Sequence, residues 1–539
     1  MSFVRIGLLA LVSAAATLST TGAARADEPA VNALPHGISL GSDGRYYQDL
    51  CDHSLAYHCL ARRRLPETYH PVPVAPVPLA GPFAGGGGNE CSCTVNPCGG
   101  GGPSAPTGAM EPKDVLAAYK VPASSSAGGK IVAIIDLPDA NALKDVNVYR
   151  KVYGIPALPA CPGNGLPDPA GGTPCFATVD ENGSATSSAG DCQGADGETG
   201  IDADMVSAAC PDCSILLVQM TTAYTNGGPM DTDFVTSAKA AIKLGAVAIS
   251  ISWGGPEIPG FDPTGAQYTT PGHLVFAASG DAGYLNEAAM FGGGTPSYPA
   301  SAPDVLGVGG TTLQLKGTSY SEVVWNDTSM GGAGGSGCST EFAMPAFQKT
   351  FLSANANAFG SCAKRASVDV SAAAEFYTSA DPNSGAIAEY DSVNGWGQVV
   401  GTSAAAPMVA GLFTRLGLID AVSGNLGWVY ENMSAFNDVT SGTNDFNGNC
   451  ASVLCKAGKG WDGPTGVGTP NGENLAALIP APGEDAGVDA GGDGGTSSKS
   501  LPAGKSGCGC NTAAAGGLGP LWLALGAVLG AFALRRYRR

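Results

Sequence analysis

Apolar residues in this chain gather into short unbroken runs. Lys130–Asp136 (KIVAIID), Ser214–Gln219 (SILLVQ), Ala246–Ser252 (AVAISIS) and Leu274–Ser279 (LVFAAS) are of strand length and almost wholly apolar. Such runs belong to parallel strands buried on both faces. Between them Pro112–Tyr119, Ala142–Tyr153, Glu198–Ala209 and Asp233–Leu244 read as helices. Strand and helix in alternation predict an α/β fold: a doubly wound, mostly parallel sheet with helices on both faces. In such sheets ligands bind beyond the carboxyl ends of the strands.

This pattern occupies residues 107–480, and the flanks differ from it. Residues 1–26 carry Arg5, an apolar run from Ile6 to Ala16 and a small-residue ending, Ala24-Arg25-Ala26. That is the layout of a secretory signal peptide, with an apolar run too short for a membrane anchor. Residues 27–106 are rich in Pro, Gly and Cys and lack clear periodicity. Residues 481–510 read as a flexible linker rich in Gly and Asp, ending in a cysteine pair. Residues 511–539 hold the uncharged stretch Gly517–Leu534 followed by Arg535, Arg536, Arg538 and Arg539. The stretch is just long enough to span a bilayer, with the arginines held on the cytoplasmic side.

Composition narrows the partners. There are 27 Lys and Arg against 46 Asp and Glu, a net charge of −19. Phosphates would be repelled, which argues against nucleic acid as a partner. Sixteen cysteines in an exported chain imply disulfides. Cys508 and Cys510 belong to the tail. Nine lie in the body (Cys161, Cys175, Cys192, Cys210, Cys213, Cys338, Cys362, Cys450, Cys455) and five lie early (Cys51, Cys59, Cys91, Cys93, Cys98). Two odd sets call for a bridge between them or a free thiol in each. Cys51, His53, His58 and Cys59 match no zinc spacing, so disulfides are the preferred reading.

The candidate chemistry begins at Gly401-Thr402-Ser403, a small-residue turn before an Ala-rich helix. Free backbone N–H groups at a helix N-terminus favour developing negative charge, which suits a nucleophilic serine. Taken alone, the same turn serves equally as an N-cap. A serine nucleophile usually pairs with histidine, but four of the five histidines (His36, His53, His58, His70) precede the apparent domain. His273 only opens a strand. Glu198 and Asp202 stand four apart, on one helix face, where like charges raise one pKa and share a proton. On their own they are as well explained as a solvated acidic first turn. Asp281, in Ser279-Gly280-Asp281, follows an apolar strand, where site residues belong.

Taken in order, Glu-x-x-x-Asp, Ser-Gly-Asp and Gly-Thr-Ser-x-x-x-Pro resemble the sedolisins, serine-carboxyl peptidases with a subtilisin-like fold. The likeness extends over residues 107–475 and includes Ser250-Ile251-Ser252-Trp253-Gly254, Tyr298-Pro299-Ala300-Ser301, Val308-Gly309-Gly310-Thr311-Thr312, Asp369-Val370-Ser371-Ala372 and Asp381-Pro382-Asn383-Ser384-Gly385. The resemblance implies that Ser403 attacks the peptide carbonyl and Glu198 is the general base. Asp202 would be its partner, and Asp281, kept protonated, would line the oxyanion hole with the Ser403 N–H. Ser252, Trp253 and Gly254 would line the substrate. Protein or peptide substrates, a monomer and an acid optimum follow. It also implies one Ca²⁺, held by the carboxylates of Asp438 and Asp462 and the carbonyls of Val439, Gly458 and Gly460. The Cys510 region, apolar stretch and Arg-rich end resemble a MYXO-CTERM sorting signal, with a plain membrane anchor as the alternative.

Two features depart from that family. Its members usually carry a large folded prodomain, whereas residues 27–106 are short and irregular. Cys338 also replaces one of a run of glycines, where a disulfide would stiffen a loop. The leading expectation is an exported acid endopeptidase. Its alternatives are a tripeptidyl-peptidase, a catalytically silent surface-binding module and a subtilisin pairing Asp136 with a histidine. No histidine follows Asp136 suitably, so Asp136 is expected to be structural.

Overall fold

The structure is a computed structural model. It describes residues 38–40, 45–51, 57–65, 104–185, 196–226, 231–258, 268–285, 294–327, 332–378, 386–446, 448 and 450–479. The chain divides into two units, Met1–Ala481 and Pro482–Arg539, and every described residue belongs to the first. The expected signal peptide, glycine linker, C-terminal spacer and tail lie outside the described residues, as do Cys91, Cys93, Cys98, Cys192 and the stretch from Asp381 to Gly385. Among the described residues no helix is long and apolar enough to cross a membrane.

The central sheet runs in the order Ser319–Val324, Leu306–Lys316, Leu274–Ala278, Ala248–Ile251, Ile131–Asp136, Ser214–Gln219, Phe176–Asp180. Val370–Thr378 lies parallel along Leu306–Lys316. All of these pairings are parallel except that of Ser319–Val324. The four apolar runs are thus strands, as expected. Every residue of Ile131–Asp136 and Ser214–Gln219 is buried, so both faces of the sheet are covered. The helices Pro112–Ala118, Ala142–Val152, Asp196–Ala209 and Asp231–Lys243 fall where the periodicity places them. The helix Thr402–Leu416 is buried at every position and packs on Asp196–Ala209 and on the central strands. A helix apolar on all sides belongs in the middle of a domain.

The early segment is more ordered than its composition suggests. Ile38–Leu40, Tyr46–Asp49 and Arg62–Arg64 join the hairpin Ile387–Asp391/Gly395–Val400 in a five-stranded sheet. His58–Cys59 pairs with Trp253–Pro256. Among the described residues five disulfides tie positions near in sequence: Cys51–Cys59, Cys161–Cys175, Cys210–Cys213, Cys338–Cys362 and Cys450–Cys455. Eight body cysteines therefore pair among themselves.

One buried ion pair fixes the far side of the sheet. Asp369 accepts from the Arg365 guanidinium (Nη1 3.0 Å, Nη2 2.5 Å), from the Gly307 amide (2.8 Å) and from the Tyr430 hydroxyl (2.6 Å). Breaking such a pair leaves a buried charge uncompensated, at a cost of about 3–5 kcal/mol. Asp369→Ala is expected to lose about that much stability, read as a lower guanidinium midpoint at unchanged slope.

Candidate active site

The site sits at the carboxyl ends of three neighbouring strands. Asp136 closes Ile131–Asp136, Ser252 follows Ala248–Ile251, and Asp281 lies just past Leu274–Ala278. Glu198 and Asp202 reach it from one face of Asp196–Ala209. Ser403 reaches it from the first turn of Thr402–Leu416. All but Asp281 are fully buried, and Asp281 is 4% exposed. The picture of Glu198 and Asp202 as a solvated first turn is therefore incorrect. The helix packs its acidic face inward, against Thr402–Leu416.

Ser252 links the parts. Its hydroxyl donates to Asp202 Oδ1 at 2.6 Å, and its carbonyl accepts from the Ser403 hydroxyl at 3.2 Å. Asp281 Oδ1 accepts from both the amide and the hydroxyl of Thr402 at 2.9 Å, which anchors it against the helix N-terminus. Asp136 accepts from the Trp253 indole at 2.8 Å and from the Leu137 amide at 2.8 Å. Neither oxygen of Glu198 has a hydrogen-bond partner.

Burial dominates the electrostatics. Removal from water pushes Glu198 well above the carboxylate range. The charges of Asp202 and Asp136 push the same way, and the nearby Ser403 hydroxyl opposes them. Asp202 is raised by burial and then by Asp136. Burial raises Asp136 to about 8, against the hydrogen bonds from Leu137 and Trp253. Asp136 is therefore a member of the acid cluster, which the sequence reading missed. An aspartate ending an apolar strand carries no local signal of its neighbours. His273 lies before the amino end of Leu274–Ala278 and Asp281 past its carboxyl end, with the whole five-residue strand, about 16 Å at 3.3 Å per residue, between them. The His273 ring bonds the Ala246 carbonyl (2.7 Å).

Backbone geometry around the serine depends on absent side chains. Gly401 has φ +146°, and a Cβ there would meet the Leu60 carbonyl oxygen at 2.2 Å and Asp281 Oδ2 at 2.7 Å. Those two oxygens therefore crowd the same spot. Leu60 belongs to the early segment, which enters the site along its backbone. The Ser403 amide donates to the Leu60 carbonyl (3.1 Å), and the Leu60 amide donates to the Ser252 carbonyl (3.1 Å). His58 and Cys59 pair with Gly254 and Trp253, so part of the early segment lies along that strand. No periodicity in residues 27–106 marks this contact.

The expected metal ligands also meet in one place. Asp462 Oδ2 accepts from the Gly458 amide (3.0 Å), and Asp438 Oδ2 accepts from the Gly460 amide (3.1 Å). Burial raises Asp462 to about 7, with the charge of Asp438 adding to the rise. Asp462 Oδ1 also accepts from the Thr465 amide (3.0 Å) and hydroxyl (2.8 Å), and two neighbouring carboxylates from separate loops fit a hard cation with oxygen ligands. Among the described residues no group of three or more His, Cys, Asp or Glu is placed to hold a metal ion, so backbone carbonyls would have to complete the shell.

Comparison with known proteins agrees with this geometry. A model of the subtilase family matches residues 177–419. Kumamolisin of a Bacillus species is 31% identical over 395 residues, which span 70% of this chain and 65% of that protein. The chain thus covers just under two thirds of that relative's length. Sedolisin of a Pseudomonas species is 33% identical over 34% of this chain and 30% of its own. A tripeptidyl-peptidase of Arthroderma otae is 31% identical over the same shares. In structure, Pseudomonas sedolisin, a serine-carboxyl proteinase complexed with pseudo-iodotyrostatin, superposes with TM-score 0.52 at 23% identity. The superposition covers 69% of this chain and 98% of that one, and shows the α/β subtilisin-like fold.

The raised carboxyls set a pH dependence of stability. Asp136 binds its proton up to about pH 8 when folded but only to 3.8 when unfolded. Its contribution is full below 3.8 and is lost as pH rises through about 8. Thermal unfolding should show Tm falling across that window, and Asp136→Asn should make the fall shallower.

Proposed function

We propose that the protein is an exported endopeptidase of the serine-carboxyl type, acting on proteins or peptides in acid. The observation that carries this reading is a helix-terminal serine beside a dry cluster of carboxyls, with its hydroxyl on the Ser252 carbonyl and, among the described residues, no histidine bonded to it. Ser403 Oγ attacks the scissile carbonyl, and Glu198 takes its proton and returns it to the leaving amine. Asp202, oriented by Ser252, shares the proton load of Glu198. The Ser403 amide and Asp281 hold the oxyanion. Asp136 acts through Trp253 and Asp202 as a positioning residue. An oxyanion donor must carry a proton, so Asp281 in that role puts activity on the acid side of neutrality. The tripeptidyl-peptidase reading is less well supported, because the segment in the cleft continues through Tyr57, His58 and Cys59 before Leu60 rather than ending after three residues.

One Ca²⁺ is proposed at Asp438, Asp462 and the carbonyls of Val439, Gly458 and Gly460. It would neutralise the repulsion at Asp462 and hold the loop Gly458–Asp462. The C-terminal stretch is proposed as a sorting or anchoring tail that engages the membrane or export machinery, on a protein that is otherwise a monomer.

Casein hydrolysis followed from about pH 3 to about pH 8 is expected to peak in acid. Ser403→Ala should abolish it, and Glu198→Gln should lower kcat by about a thousandfold or more while leaving KM within a few-fold. A neutral optimum would remove Glu198 as base, and uniform release of tripeptides would replace the endopeptidase mode. Chelation should lower Tm, at about 2–4 °C per kcal/mol of lost binding, and added Ca²⁺ but not Mg²⁺ should restore it.

A further inference from the structure

The hairpin that leads into Gly401-Thr402-Ser403 carries a second acid site, apart from the catalytic cluster. Glu389 and Asp391 lie on Ile387–Asp391, the partner of Gly395–Val400, and both are fully buried. The Arg63 guanidinium serves both carboxyls, with Nη2 2.5 Å from Glu389 Oε2 and bonded also to Asp391. Asp391 does not depend on that cation for its place. Its Oδ1 accepts from the Asn394 amide (2.6 Å) and side chain (3.0 Å) within the hairpin turn. Glu389 Oε1 has no hydrogen-bond partner, so the site holds more acceptor capacity than Arg63 uses. Room for the guanidinium comes from missing side chains. A Cβ on Gly397 would stand 2.7 Å from Arg63 Nε, and one on Gly200 would stand 2.7 Å from Glu389 Oε1. Gly200 belongs to Asp196–Ala209, so the helix that carries Glu198 and Asp202 also walls this site.

The register of residues 60–64 relates this site to the reaction. The Leu60 carbonyl accepts from the Ser403 amide, the donor proposed for an oxyanion. Arg62, Arg63 and Arg64 pair with Val400, Val399 and Gln398. A peptide can add a strand to the same edge. With its reacting carbonyl at the Ser403 amide, it would bring the third residue beyond the bond to Glu389 and Asp391. We propose that Glu389 and Asp391 form a subsite for arginine at the third position after the cleaved bond, a place that Arg63 fills in this structure. The proposal rests on the peptidase reading and adds to it a selectivity. Two buried carboxyls without a cation are costly, because removal from water penalises each charge. A neutral residue at that position leaves the cost standing, and arginine removes it. Arginine suits the place better than lysine, because its flat group lies over the bare backbone of Gly397 and engages two carboxyls at once. With a guanidinium in place, burial raises Glu389 well above the ordinary carboxyl range, the guanidinium opposing. At Asp391 the guanidinium and Asn394 outweigh burial and hold it below that range. Asp391 therefore carries the charge in acid, and Glu389 accepts as a neutral acid.

The test uses the full-length chain at about pH 5, where an ordinary aspartate is ionised. The substrate is a synthetic peptide mixture randomised in sequence, with the products read by mass spectrometry. Arginine should be enriched about tenfold or more at the third residue after the cut, the scale of a hydrogen bond to a charged group. Two peptides that differ only in Arg or Gln at that position then give a ratio of kcat/KM. The ratio is read on one preparation, so the fraction of folded enzyme cancels from it. Asp391→Asn should bring the ratio to within about twofold of unity, and Glu389→Gln should lower it less. Where Asp391→Asn alone fails to fold, pairing it with Arg63→Gln leaves no buried cation behind and carries the same measurement. Cleavage without arginine preference at the third position overturns the subsite and leaves the peptidase reading standing, with the acid pair serving Arg63 alone. A preference that survives both substitutions overturns the assignment to Glu389 and Asp391. No cleavage of any peptide by folded protein overturns the peptidase reading and the subsite with it.

Discussion

Acidic side chains held together out of water are the constraint around which this molecule is arranged. Glu198, Asp202 and Asp136 are fully buried and Asp281 nearly so, and each additional charge in that space makes the next more costly. Glu198, Asp202 and Asp136 therefore retain protons that the same side chains would release in water. The site draws on three strand ends, on one face of Asp196–Ala209, which carries both Glu198 and Asp202, and on the first turn of Thr402–Leu416. The parallel sheet brings these ends to one edge, and the wholly buried helix behind Ser403 keeps water from its other side. Ser252 couples the acid side to the serine side, with its hydroxyl on Asp202 and its carbonyl on Ser403.

Much of this was legible in the chain because the domain's strands are buried on both faces and so appear as continuous apolar runs. Strands that break that rule were harder to see. Phe176–Asp180 (FATVD) alternates at the sheet edge, and Leu306–Lys316 (LGVGGTTLQLK) is glycine-rich where the backbone must approach neighbours closely. The Glu198/Asp202 spacing placed both carboxyls on one helix face but carried no information on which way that face points; packing against Thr402–Leu416 decides it. Asp136 is the clearer lesson. Its role comes from Trp253 and the acid cluster, more than sixty residues away, and no local pattern encodes that distance.

The early segment was illegible for a different reason. Its strands are two to four residues long and take their register from edges supplied by the domain. Three successive arginines suggest a solvated charge run, yet Arg63 is buried because Glu389 and Asp391 wait for it. The five disulfides act locally, spanning 3 to 24 residues, and staple loops rather than distant parts of the chain. The early bridge thus shapes the segment that enters the cleft, while the body's bridges leave the sheet to be held by packing and by the Arg365–Asp369 pair.

The space beside Leu60 is bounded by an atom that is not there. A methyl group on residue 254 would stand 2.3 Å from Ser297 Oγ as well as against Leu60. Any attempt to re-engineer what this cleft accepts therefore cannot proceed one position at a time. A larger residue at 254 needs a smaller one at 297 in the same step, and the two changes will be strongly non-additive. The space beside Leu60 is thus set by a pair of positions, one on Trp253–Pro256 and one on the neighbouring strand Ser297–Tyr298.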